Sequence, residues 1–208
     1  MMFKRGWFAP TTALIALALS ACSAPEAIPD FRYYRLAPAA QIEALPKSVL
    51  DKPLVVENFR ADGVHGERPI LYANDIDSVK VSQYHYQLWN DPPPVMVQRR
   101  LQELLQQAHV SDYVTDRLSG RLPGYRLTGT VYRFERVLVE GRPTEAVLGV
   151  RLRLQADGAA LPLVERDELL RVPVSGSTVE DSAIALSSAV DQVARRLITA
   201  LQQRKPAA

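Results

Sequence analysis

The chain has a single cysteine, three histidines and no long hydrophobic run in 208 residues. One cysteine excludes an internal disulfide framework. The histidines, His65, His85 and His109, stand far apart, with no His-x-x-x-His or Cys-His spacing, so a metal centre has no support. No Gly-rich loop followed by Lys is present to cradle phosphates, and no Gly-x-Ser-x-Gly elbow presents a nucleophile. Ser175-Gly176-Ser177 reads as a turn leading into a helix. Glu135, Glu140 and Glu145 flank a hairpin. Glycoside chemistry would need two of them at a set separation in a cleft, whereas a solvated sheet edge needs nothing further. These absences point away from an enzyme.

The longest apolar stretch, residues 7–19, is interrupted by Pro10. It is shorter than the roughly 20 residues a helix needs to span a bilayer. Lys4 and Arg5 precede it and Leu19-Ser20-Ala21-Cys22 closes it. Basic residues, a short apolar segment and a small-residue cleavage site make a targeting signal over residues 1–21. The last four residues look like a bacterial lipobox, cut between Ala21 and Cys22. The lone cysteine then has a purpose: its sulfur becomes a thioether carrying diacylglycerol, and an N-acyl chain is added to the new terminus. That covalent lipid is the only non-protein group expected. Several acyl chains hold stably where one holds marginally. Ser23, rather than Asp, follows the cysteine, which favours the outer membrane and its periplasmic face.

Cleavage removes Lys4 and Arg5 from the 25 basic residues, leaving 23 against 23 acidic ones. A neutral domain gives no reason to expect nucleic acid as a partner. Residues 22–30 form the lipidated cysteine and a Pro-containing linker. Eight extended residues from Ser23 to Asp30 reach at most about 26–29 Å. Residues 31–208 make one domain of ordinary size.

Within that domain, strands are expected at residues 31–36, 54–59, 70–73 and 79–89, with a helical turn at 41–45 and a loop at 64–69. A helix follows Asn90-Asp91-Pro92, with Asp91 as its cap and Val97, Leu101, Leu104 and Ala108 as its apolar stripe. Gln98, Arg99, Gln102 and Gln106 take the wetter face, and the helix ends near His109. Tyr113-Val114 begins a short strand, and 120–124 turns. A long strand at 125–140, slipping near Arg133, turns at 141–143. Ala146, Leu148, Val150, Leu152 and Leu154 then alternate strictly. A turn at Asp157-Gly158 leads to a strand at 161–174, making an antiparallel meander with one wet face. Thr178 and Asp181 form a capping box ahead of a helix whose stripe runs from Ala183 to Leu201. The expected fold is α+β: one domain, a largely antiparallel sheet and two main helices packed on one face.

Two features could carry binding. Tyr84, Tyr86 and Trp89 beside the prolines 92–94 would suit a partner surface, or would fill the core where strand meets helix. The last helix could leave part of its stripe for a neighbouring subunit, or pack entirely within the domain.

The order of motifs resembles a known family. It comprises the lipobox, Phe31-Arg-Tyr-Tyr-Arg-Leu36, Tyr84-His-Tyr-Gln-Leu-Trp89 running into Pro92-Pro93, a Leu-rich helix, Tyr132-Arg-Phe-Glu135, a hairpin and a terminal helix. The chain is similar to the ABC-type transport auxiliary lipoproteins, of the paraquat-inducible protein C-like kind. That resemblance implies a docking component of an ABC-type lipid transport system. The partners would be a mammalian-cell-entry type periplasmic protein and the ABC permease and ATPase, with a homo-oligomeric ring left open. A structural lipoprotein of another envelope machine, of the secretin-pilotin or lipopolysaccharide-assembly type, is the alternative.

Overall fold

The computed structural model of the protein describes residues 29–117 and 123–203. The targeting signal, Cys22, most of the linker, much of the turn expected at 120–124 and residues 204–208 lie outside them. From Phe31 onward the chain forms one compact unit.

Its frame is a long hairpin. Strand β7 (Tyr125–Val139) pairs antiparallel with β8 (Arg142–Ala156), which pairs antiparallel with β9 (Val164–Pro173). The β7–β8 turn falls on Glu140 and Gly141, at φ 51° and 77°. Both lie in the left-handed region that two-residue hairpin turns require. This is slightly earlier than the sequence suggests, and Pro143 belongs to the strand. The register shifts between Val131 and Arg133, which is the slip visible in the alternation.

The other edge of β7 receives three short strands in succession: β2 (Leu54–Val56), β3 (Arg60–Ala61) and β4 (Pro69–Ala73). All three run parallel to it. Strand β5 (Ser82–Trp89) pairs antiparallel with β4, and β1 (Arg32–Tyr34) pairs parallel with β5. Strand β6 (Val114–Thr115) adds in parallel to β2. The expectation of an α+β fold with a largely antiparallel sheet holds, though the sheet is mixed rather than purely antiparallel. Hairpins set direction in the β7–β9 half. In the other half the chain steps along one edge of β7 always in the same sense.

Helices α1 (Pro93–Gln107) and α2 (Val179–Gln202) lie side by side, with α2 across β8 and β9. Val97, Leu101, Leu104 and Ala108 are fully buried, as are Val190 and Val193 of α2. They meet Leu148, Val150 and Phe134 from the sheet in one core. Thr178 caps α2: its hydroxyl accepts from Asp181 N at 3.1 Å while the Asp181 carboxylate accepts from Thr178 N at 2.8 Å. At α1 the expected cap is absent. Pro92 occupies that position and offers no side-chain acceptor, while Asp91 pairs instead with Arg99 at 3.1 Å. Gln98 is not on a wet face: it is 5% exposed and donates to Val56 O at 3.0 Å, satisfying a buried carbonyl.

Residues 35–50 form an extended strap across the helix layer, not the helical turn expected at 41–45. Ala37 N donates to Ser187 Oγ at 2.9 Å and Ala40 N to Asp191 Oδ2 at 3.1 Å. Leu45 N then reaches Ala108 O, and Val49 and Leu50 both reach Val110 O. The strap's backbone polar groups thus bond to helix side chains and helix-end carbonyls, so no helix is needed to satisfy them.

Candidate functional site

The structure separates the three aromatics that the sequence groups. Trp89 is in the core at 1% exposure, edge-on to Phe134 with ring centroids 5.2 Å apart. Tyr84 is half-buried against Tyr72, and its hydroxyl accepts from Arg136 at 3.4 Å. Arg136 also donates to Thr178 O, tying this cluster to the start of α2. Tyr86 lies at the sheet margin against Phe31, with centroids 5.4 Å apart. Pairing is irregular along this run: between two paired positions β4 advances from Pro69 to Leu71 while β5 spans Gln83 to Leu88. Cys22 and Ala21 lie outside the described residues.

A different surface is assembled where the chain enters the domain. Strand β1 is a sheet edge, and Phe31 and Tyr33 are 55% and 58% exposed there. The Arg68 guanidinium sits 5.3 Å from the Tyr33 ring centre and is held by a bond to Trp89 O at 3.0 Å. Next to this edge, the strap and α2 enclose a groove of about 900 Å³, lined in part by Tyr33, Leu36, Arg100, Glu180 and Ile184. Beneath the strap, Arg100 and Asp191 form an ion pair at 3.1 Å with side chains 6% and 8% exposed. Arg100 also donates to Ala37 O. One residue comes from each helix, and together they grip the strap between them.

That pair is absent from the sequence reading, although a signal for it exists. Arg100 and Asp191 both fall at helical spacing from apolar residues, Arg100 between Val97 and Leu104, and Asp191 three residues before Ala194 and seven before Ile198. A charged residue on a buried stripe requires a partner.

The face of the sheet opposite the helices is polar at its β7–β9 end. A groove of about 460 Å³ there is lined by Arg60, Thr130, Arg151, Arg153, Glu165 and Asp167, among others. Tyr132 lies flat over Gly149, where a Cβ would overlap its ring. Its hydroxyl donates to Asp167 at 2.6 Å, and burial and that carboxylate push it up to about 12. At the β4 end the same face is covered. Glu135 is 2% exposed and bonds Arg133 Nε at 3.0 Å, while Arg133 reaches Ile76 O. His65 lies close by, in a 3-10 turn (Gly63–Gly66), and burial holds its imidazole below the ordinary value.

Among the described residues, no three His, Cys, Asp or Glu side chains gather at metal-binding distances. His85 is exposed on β5, and His109 follows α1, 3.4 Å from Asp112. Among the described residues the α+β domain presents a strand edge, grooves beside the strap and on the open sheet face, and a strap pinned by buried charge.

The comparisons with known proteins carry the identification further. The chain belongs to the family of ABC-type transport auxiliary lipoprotein components, which it matches over residues 34–198. Protein XCC0632 from Xanthomonas campestris has a similar structure: TM-score 0.67 at 19% identity, covering 83% of this chain and 98% of that one. The crystal structure of an uncharacterized protein superposes with a TM-score of 0.64 at 17% identity, covering 82% and 98%. At such identities the likeness shows a shared fold alone. A PelC dodecamer from Paraburkholderia phytofirmans aligns at 16% identity over 80% and 97%, but its TM-score of 0.44 is too low to bear on assembly here. No curated protein matches the sequence. Family membership makes this an envelope-associated accessory to an ABC-type transport system.

Proposed function

We propose that the protein is an outer-membrane-anchored periplasmic lipoprotein that docks an ABC-type lipid transport system to the envelope. Acyl chains on Cys22 hold it, the linker keeps it near the bilayer, and the folded domain binds a mammalian-cell-entry type protein. That protein connects to the permease and ATPase, where the chemical work is done. The observation that carries this reading is the family match over residues 34–198. The Leu19-Ser20-Ala21-Cys22 sequence supports the anchor, and Ser23 supports the outer membrane.

The test is affinity capture of the tagged full-length protein from crosslinked, solubilised envelopes. Recovery of a mammalian-cell-entry protein with a permease and ATPase is expected. Recovery of secretin subunits or lipopolysaccharide-assembly components instead would refute it. Sucrose-gradient fractionation checks the address separately: the protein should band with outer-membrane markers, and banding with the inner membrane would overturn that part.

A further inference from the structure

The edge of the sheet at the domain's entrance has an unusual surface. Phe31 and Tyr33 are more than half exposed. Tyr86 packs against Phe31, and Arg68 lies over the Tyr33 ring. Arg32 and Arg35 are exposed on the same short segment. The acids nearby are Asp30 and Glu67 and, across the groove beside Tyr33, Glu103 and Glu180. Large aromatic side chains clustered in water, beside cations, mark a site of association. Aromatic rings with basic neighbours suit the bilayer interface, where rings enter the headgroup layer and guanidiniums meet phosphates.

The position of this patch decides its partner. Phe31 directly follows the linker, which spans at most about 26–29 Å from Cys22. No other part of the domain is tied so closely to the anchored residue.

We propose that Phe31, Tyr33, Tyr86 and Arg68 form a second membrane contact that rests on the bilayer holding the anchor. This inference depends on Cys22 being lipidated. The acyl chains already supply attachment, so the patch sets orientation. It lays the β1 edge on the lipid. The β8–β9 turn lies towards the other end of β7: Tyr125 pairs with Ala156, whereas Tyr33 is level with Leu88 and Pro69, two residues before the Leu71–Glu135 pair. About eight strand residues separate those levels, roughly 26 Å along the strand. A domain held by its β1 edge presents the far end, and the polar groove beside it, to the periplasm.

The test uses the full mature lipoprotein in vesicles of phosphatidylethanolamine and phosphatidylglycerol. An acylated Cys22 cannot react with a thiol reagent, so a single engineered thiol reports its own site. Tyr33→Cys and Leu161→Cys, the latter at a residue 77% exposed in the β8–β9 turn, are each labelled with a polarity-sensitive fluorophore. The label at position 33 should shift to the blue and lose intensity to a lipid-borne nitroxide. The label at position 161 should do neither. Adding Phe31→Glu and Arg68→Glu should abolish the response at position 33 while the protein still floats with the vesicles. A vesicle-bound protein whose position-33 label is as wet as that at 161 overturns the patch and leaves the anchor intact. A blue shift without nitroxide quenching indicates a protein contact, such as a second copy, and also overturns it. If unsubstituted protein takes up the label, Cys22 is free and the anchor reading itself has failed.

Discussion

Removing the Asp191 carboxylate should loosen the strap and destabilise the whole domain. Asp191 sits 3.1 Å from Arg100, both side chains are less than a tenth exposed, and the same carboxylate accepts from Ala40 N. At an effective dielectric of about 20 the gross attraction at this distance is roughly 5 kcal/mol. Desolvation of both ions offsets much of it, so the pair contributes little net stability compared with apolar residues of the same shape. Losing one partner is different. Asp191→Ala leaves a buried guanidinium uncompensated, which typically costs about 3–5 kcal/mol. Arg100 would keep its bond to Ala37 O and lies 3.9 Å from Glu103, so the lower end, about 3 kcal/mol, is expected. With a urea dependence of about 2 kcal/mol/M the midpoint drops by roughly 1.5 M. Trp89, 1% exposed, reports the transition, since Trp7 precedes the cleavage site. The Ala40 amide should exchange faster than the core before global unfolding sets in. The double variant Arg100→Met, Asp191→Leu should recover part of the loss, giving a coupling free energy above about 1 kcal/mol. An Asp191→Ala variant within about 1 kcal/mol of the parent, or strictly additive single effects, would refute the argument.

Three further outcomes follow from local geometry. Gly149→Val should lift the Tyr132 ring from the sheet and break its bond to Asp167, costing about 1–3 kcal/mol in thermal unfolding; an unchanged midpoint would show that the ring moves freely. Thr178→Ala should cost about 1 kcal/mol at neutral pH by uncapping α2. The Thr178 hydroxyl and backbone hold the Asp181 carboxyl below its ordinary value of 3.8. That contribution is present above 3.8 and lost as pH falls through the lower folded value, so the gap to the parent should narrow in acid. Burial depresses His65 below 6.5, so its neutral form favours the folded state above that value, and this stability is lost as pH falls. His65→Asn should flatten the fall in melting temperature between about pH 7 and 5, and an identical slope in both proteins would remove His65 as the cause.

Much of the architecture was legible because local patterns report which face of an element is apolar. The stripe Val97, Leu101, Leu104 and Ala108, the alternation from Ala146 to Leu154, the slip near Arg133 and the capping box at Thr178 all stand as expected. Alternation does not report a strand's partner or direction, so the parallel placement of β2, β3 and β4 along β7 was invisible. The different neighbours of Tyr84, Tyr86 and Trp89, which are Tyr72, Phe31 and Phe134, were equally hidden, because each comes from another segment of the chain. The strap shows the same limit. A segment without regular secondary structure becomes ordered because Leu36, Ile42, Leu45, Val49 and Leu50 pack on the core and two helices, whose paired charges lie 91 residues apart, bond its backbone.

By itself, then, the sequence determined the elements, their apolar faces and the motifs that mark the family, all set by interactions within a few residues. Only the tertiary structure decided the mixed sheet, the buried Arg100–Asp191 grip and the aromatic edge at Phe31 and Tyr33. Each of these joins residues distant in the chain, and their free energy exists only once the chain has closed on itself.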